Sequence, residues 1–420
     1  MTLKTSLFVS TAALIITACG NQAETTIESD AVPVVDAKTP AEIHEGLIVL
    51  DSHLDTPANF RNDDYSLIAD NPSVLGSVQV DLPKMQRGGL DGGFWVIYTA
   101  QGPLTEGAYT AAYTAAMTRM QDIRTAAETY PDNFEIALKA SDAERIVSDG
   151  KRIMYISMEN SYPIGLDLAN IETFYDLGLR MIGPVHFRDN QFADSATDLS
   201  IDSHGGLSDL GEGLVREANR LGMVVDGSHA GDDTVRDIMA ISTTPIILTH
   251  TGVKAIYDHP RNIDDVLLKE IADDGGVIQI NGLGGYLEEL VPSAERAAAL
   301  AELMSEANGR EFGDLSPEEQ AEFMAKRKAI DATYPAPLST FDKFMEHLLH
   351  ALSVVGPDHI GMGADWDGGG GVEGMEDVSY LPKVTAALLE AGYSEEDLAK
   401  IWSGNMLRLL AAAEAQKESE

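Results

Sequence analysis

The chain of 420 residues has a single cysteine, Cys19, so no intramolecular disulfide can form and a structural thiol elsewhere is excluded. Basic residues are scarce. Lys and Arg number 29 against 68 Asp and Glu, a formal charge of −39. That balance argues against nucleic-acid binding, and against attraction to anionic lipid through a basic patch; it favours solubility and metal cations. A glycine-rich dinucleotide fingerprint is missing from the first strand–helix turn, which weakens an open doubly wound sheet. Internal repeats and a transmembrane helix are also lacking; the apolar stretch Leu7–Ile16 is too short to span a bilayer permanently. What remains is an ordinary apolar fraction of 44% in a chain long enough for two average domains or one large barrel.

Lys4 followed by Leu7–Ile16 reads as a targeting segment covering residues 1–18. It ends in Ile16-Thr17-Ala18-Cys19, which resembles the lipobox of bacterial lipoproteins. The resemblance implies cleavage before Cys19 and a lipid on that cysteine. Gly20 follows, without the aspartate associated with inner-membrane retention, so the expected address is the periplasmic face of the outer membrane. Residues 19–40, rich in Glu, Thr, Ala and Pro, read as a flexible acidic tether, and 41–415 as a single domain.

Within that domain, apolar β-rich runs alternate with helical stretches. The runs are Leu47–Leu50, Gly93–Tyr98, Ile153–Ser157, Met181–Val185, Met223–Val225, Pro245–Leu248, Val277–Ile280 and His359–Gly363. Helices are expected at Glu106–Tyr130, Leu210–Leu221, Asp232–Ile241 and Ile263–Asp273, and in a tail at Tyr380–Glu390 and Glu395–Glu414. Eight such units predict an α/β fold, a closed (β/α)8 TIM-type barrel. The long interval between the seventh and eighth runs, helical over Ser293–Ala332, is expected to be an insertion at about 287–340. It is read as a lid, a subunit contact of a homodimer, or a solvated excursion.

Polar residues fall repeatedly at the C-terminal ends of these runs, where barrel enzymes build their sites. The first run leads to His53 and Asp55, two apart and therefore on one face of a strand. The third leads to Glu159 and Asn160, the fourth to His186, the fifth to Asp226 and His229, the sixth to His250, and the eighth to Asp365 and Asp367. A buried cluster of this charge is costly unless something compensates it, and divalent metal is the natural compensation. Three histidines and two carboxylates exceed what one tetrahedral ion requires, which points to two ions sharing a bridge. His44, His204, His259, His347, His350 and His359 are assigned no chemistry.

With those residues in place, the chain resembles the renal or membrane dipeptidase family of binuclear zinc peptidases, from Leu47 to the tail stretch Ser403-Gly404-Asn405-Met406-Leu407-Arg408. The resemblance implies two Zn²⁺ per chain. It places the His-x-Asp metal pair on His53 and Asp55, the bridging glutamate on Glu159, and the second-metal histidines on His229 and His250. His186 is the implied substrate-facing histidine that stabilises the oxyanion. Arg261, eleven residues after His250, is the implied clamp on the substrate carboxylate, with Tyr286 beside it. Asp365, in Gly-Ala-Asp-Trp-Asp-Gly, is the implied proton carrier for a metal-bridging hydroxide. The expected substrates are free dipeptides, L-Xaa-L-Xaa or L-Xaa-D-Xaa.

Departures from the animal members lie at Phe187-Arg188-Asp189-Asn190, which adds a cation near the site, and in the insertion. A related metal-dependent amidohydrolase acting on N-acyl amino acids, cyclic amides or β-lactams is the alternative. That class opens with His-x-His and bridges its metals through a modified lysine, whereas this chain has His53-Leu54-Asp55 and Glu159. A lipid-anchored binding protein is a third reading, which would predict the loss of Asp365 or a metal ligand.

Overall fold

The computed structural model describes residues 38–198, 203–306, 310 and 315–417. The expected signal segment 1–18, Cys19 and the tether up to residue 37 therefore lie outside the described residues. The described chain opens on a helix, Pro40–Glu45, which Thr39 and Glu42 close with a reciprocal capping box.

Nine strands follow: β1 (Leu50–Leu54), β2 (Gly92–Tyr98), β3 (Phe134–Ile136), β4 (Arg152–Glu159), β5 (Leu179–Ile182), β6 (Val224–Val225), β7 (Ile247–Thr251), β8 (Val277–Ile280) and β9 (Ile360–Met362). Every ladder is parallel. One sheet runs β1-β2-β4-β5-β6 and a second β7-β8-β9. Single parallel bridges join Asp226 to Ile247 and Leu54 to Trp366. The result is an α/β fold built on a curled parallel sheet. The short β3 was not anticipated; it pairs with Arg152–Met154 at the start of β4, ahead of the stretch where β5 pairs.

Two strands begin and end later than the apolar runs suggested. The run Leu47–Leu50 becomes a strand over Leu50–Leu54, and Pro245–Leu248 becomes Ile247–Thr251. The polar residues that looked like strand ends are held inside the sheet because they satisfy one another. The Asp51 carboxylate accepts from the His53 N–H (2.8 Å) and the Ala364 N–H (3.0 Å). Ser52 donates to the Thr249 carbonyl (2.6 Å), and Thr249 donates to Asp226 through both its backbone N–H (3.0 Å) and its hydroxyl (2.6 Å). These bonds fix the relative height of β1, β6, β7 and the segment after β9. They therefore set the heights of the site histidines.

Helices cover the sheet with their apolar faces. Asp209–Leu221 is typical: Ser208 caps its first turn, Leu214, Val215, Ala218 and Leu221 are buried, and Gly222 ends it in the left-handed conformation (φ 77°). The tail helix expected over Glu395–Glu414 is interrupted by a π-helical turn at Lys400–Gly404. There Asn405 turns inward and donates to the carbonyls of Pro357 (2.7 Å) and Ile360 (2.9 Å). The final helix, Asn405–Gln416, then packs Met406, Leu409, Leu410 and Ala413 against Leu50, Phe94, Ile153, Met181, Ile247 and Val277, at or near the N-terminal ends of the strands. Between β8 and β9 lie helices Ala294–Glu306 and Pro317–Thr333, tied together by a buried Arg296 that pairs with Asp331 (2.7 Å).

Candidate active site

At the opposite, C-terminal ends of the strands the sequence-selected side chains converge. Nε2 of His53 lies 3.4 Å from Oδ2 of Asp55 and 3.8 Å from Oε2 of Glu159. The other Glu159 oxygen is 2.9 Å from Nε2 of His229, 3.5 Å from Nε2 of His250 and 3.8 Å from Nε2 of His186. Glu159 thus offers one oxygen to each side of the cluster. Three overlapping groups keep their donor atoms within 4.8 Å of one another: His53, Glu159 and His250; Glu159, His186 and His229; His53, Asp55 and Asp365.

Backbone strain concentrates here. Among the described residues, the non-glycine residues with positive φ are Asn160 (64°), His229 (66°), Asp365 (63°) and Asp367 (67°), each just past a strand end. That conformation is tolerated only where surrounding structure over-determines it, and it aims the side chains inward. Asp367 is pinned in turn, accepting from Thr56 (2.6 Å) and the Gln79 N–H (2.6 Å).

Burial dominates the electrostatics. It pushes His229 and His250 well below the usual imidazole range, with the His53 and Arg261 cations adding to the effect, so both present the neutral ring that ligates metal. Burial also works against a charge on His53, but the carboxylates of Glu159, Asp55 and Asp365 together outweigh it and raise the imidazole to about 10. Burial pushes Glu159 up to about 8 and Asp365 up to about 6, in each case with Asp55 adding repulsion. His186, buried and facing Arg261 and His53, is driven down to about 3 and stays neutral.

A buried set of carboxylates and imidazoles this dense is paired only in part by protons. Nε2 of His53 and Nδ1 of His229 are buried without a hydrogen-bond partner, and Nε2 of His229 lies within 2.9 Å of both Glu159 and Nε2 of His250. The neutral imidazoles of His229 and His250, the buried carboxylates and an all-nitrogen-and-oxygen donor set fit a divalent metal ion, which would take the place of the proton on His53.

Beside this cluster lies a cavity of about 260 Å³ lined by Asp55, Glu159, His186, His229, His250, Tyr286 and Asp365, and also by Ala58, Tyr98, Arg119, Phe187, Leu283, Asp367 and Gly368. Arg261 is almost fully buried behind it, donating Nη2 to the His250 carbonyl (2.6 Å) while its Nε has no partner. Its guanidinium carbon is 5.8 Å from the centre of the Tyr286 ring. His259, given no chemistry from sequence, packs against Tyr286 (ring centres 4.9 Å apart) and accepts the Arg261 N–H (3.1 Å). The remaining histidines brace the scaffold: buried His347, for example, links Val253 and Leu287.

Two expectations concern the rim. Arg188 is exposed and does not line the cavity; the cation that does is Arg119, from the helix Glu106–Thr129. None of the lining residues belongs to the helices at Ala294–Glu306 or Pro317–Thr333. Sequence reasoning gave no site role to Tyr98, Arg119 or Gly368, and named Phe187 only as part of a departure from the animal members. Only Gly368 carried a local signal, four consecutive glycines after Asp365-Trp366-Asp367.

Comparison with known proteins agrees with this geometry. The profile of the membrane dipeptidase family (peptidase family M19) matches residues 38–420. The dipeptidase tcpJ of Claviceps purpurea (strain 20.1) is 28% identical over 340 residues, covering 80% of this chain and 69% of the relative. An uncharacterized dipeptidase of Schizosaccharomyces pombe is 29% identical over 377 residues, covering 87% of this chain and 81% of its own. The crystal structure of the probable dipeptidase PvdM from Pseudomonas aeruginosa superposes with a TM-score of 0.78 at 29% identity, covering 90% of this chain and 98% of that one.

Proposed function

Because the chain belongs to the membrane dipeptidase family, we propose that it hydrolyses the peptide bond of free dipeptides, L-Xaa-L-Xaa or L-Xaa-D-Xaa, with two zinc ions per chain. The observation that carries this reading is the two-sided placement of Glu159, one oxygen toward His53 and the other toward His229 and His250. His53 and Asp55 would hold one ion, His229 and His250 the other, and Glu159 both. Bound ions of this kind acidify water and polarise the carbonyl under attack.

The chain's own residues do the rest. Asp365, buried beside the cluster, accepts the proton from the attacking water at its carboxylate and returns it to the leaving amine. Neutral His186 donates its N–H to the oxygen that gains charge. Arg261 binds the substrate's terminal carboxylate through its planar fork, and Tyr286 adds a hydrogen bond. A buried carboxylate clamp at a fixed remove from the candidate metal cluster limits substrate length, and the cavity has room for a dipeptide.

We carry three further readings with this one. The two single parallel bridges support closure of the strands into a (β/α)8 barrel, with the helices between β8 and β9 as its insertion. The lipobox-like Ile16–Cys19 supports export and a lipid on Cys19 at the periplasmic face of the outer membrane. A second copy of the chain remains a partner to be tested by mass in solution. For the central reading, the test is a dipeptide against its C-terminal amide. The account expects kcat/KM to fall roughly 100-fold on capping, because the amide leaves the buried Arg261 unpaired. Equal rates for both would sink the clamp and with it the dipeptide assignment.

A further inference from the structure

Arg119 lines the substrate cavity and interacts electrostatically with Asp55, whereas Arg261 lies behind the lining, beside the His250 carbonyl and the Tyr286 ring. Arg119 stands on the helix Glu106–Thr129, half-buried, and lines the cavity with Asp55, Ala58 and Tyr98. Burial works against its charge, and the carboxylates that offset it are Asp55 and Asp122. Neither is free for it. Asp122 is held in a two-pronged pair by Arg61 (2.7 and 2.9 Å), and Asp55 stands with His53 and Asp365 in a candidate metal-binding group. Among the described residues Arg119 makes no hydrogen bond or ion pair of its own, so a partly desolvated fork faces the cavity without an anion matched to it.

Its place relative to the reaction comes from the dipeptidase reading, on which this inference rests. Arg261 takes the C-terminal carboxylate and the metal cluster takes the scissile carbonyl, so the first residue of the dipeptide lies on the Asp55 side. Ala58, with its small side chain, lines the same cavity. An unmatched cation there penalises a basic side chain and rewards an acidic one. We propose that Arg119 is a specificity-determining residue that selects dipeptides whose first residue carries a side-chain carboxylate, Glu or Asp.

The test is the ratio of kcat/KM for L-Glu-L-Ala to that for L-Gln-L-Ala, measured with the metal-loaded wild type, Arg119→Gln and Arg119→Lys. A ratio within one protein cancels differences in folding and active fraction. The wild type should favour Glu over Gln roughly tenfold or more, since one charge-assisted pair is worth at least that factor. Arg119→Gln should bring the ratio close to one and Arg119→Lys should restore part of it. If the wild type cleaves both substrates equally, or if the ratio survives Arg119→Gln, Arg119 only offsets the charge of Asp55 and the proposal is wrong. Failure to cleave either substrate, or Ala-Ala, would overturn the dipeptidase reading itself, a distinguishable result.

Discussion

Gly368 shows how tightly single residues are constrained at this site. A Cβ built on it would lie 2.2 Å from Oδ1 of Asp365 and 2.2 Å from Oδ2 of Asp55, so a side chain there must push two site carboxylates aside. Gly368 itself is exposed, and an added methyl has no core to disturb. Gly368→Ala is therefore expected to lower kcat/KM by roughly 100-fold while leaving the thermal midpoint within a few degrees, checked by kinetics beside a melting curve. A large loss of stability with activity per folded molecule intact would contradict that placement. The same contrast explains what was legible. The convergence of His53, Asp55, Glu159, His229 and His250 could be read because each comes just after an apolar run, and parallel strands place the residues at their C-terminal ends on one side of the sheet. Arg119 could not be read, since it sits mid-helix and reaches the cavity only through the packing of that helix beside the turn after β1.

Elements shifted where polar side chains found partners far away in sequence. Ser52 and Thr249 belong to strands 197 residues apart, and no local pattern announces their hydrogen bond. Reading apolar runs therefore ended β1 and β7 too early. Asn405 is a related case: it stands in a family-like stretch of the sequence, and its role is to tie the tail to the start of β9 through a π-helical turn. At this scale the buried pair of Asp81 and Lys84 makes a prediction. Lys84 is 1% exposed, donates to Asp81 and to the Asn71 carbonyl (2.7 Å), and Asp81 caps the helix Leu82–Gly88. The chain it anchors carries Gln79, which accepts the Asp367 N–H (2.9 Å). Lys84→Met removes the counter-ion of buried Asp81, leaving it only the donors of Asn71 and of the residue 84 backbone, and should cost about 3 kcal/mol in urea unfolding. In the double variant with Asp81→Asn, part of that loss should return. A cost below about 1 kcal/mol for the single change would mean the pair is not desolvated as described.

As a whole, the molecule divides its work between the two ends of its parallel strands. The N-terminal ends are sealed by the apolar face of Asn405–Gln416, and the C-terminal ends carry every candidate metal ligand. The alternation of runs and helices made this division legible in the sequence alone, because parallel strands must return through helices and all point one way. The central claim is that the C-terminal cluster is a two-metal dipeptidase centre. Its most direct test is metal content measured beside dipeptide hydrolysis, on protein lacking its first 19 residues, for wild type and Asp365→Asn. The account predicts about two zinc per chain in both proteins, hydrolysis of free dipeptides by the wild type, and a rate lower by roughly 10²–10⁴ in Asp365→Asn. Protein that holds no metal after reloading, or that holds metal and cleaves no dipeptide, would contradict it.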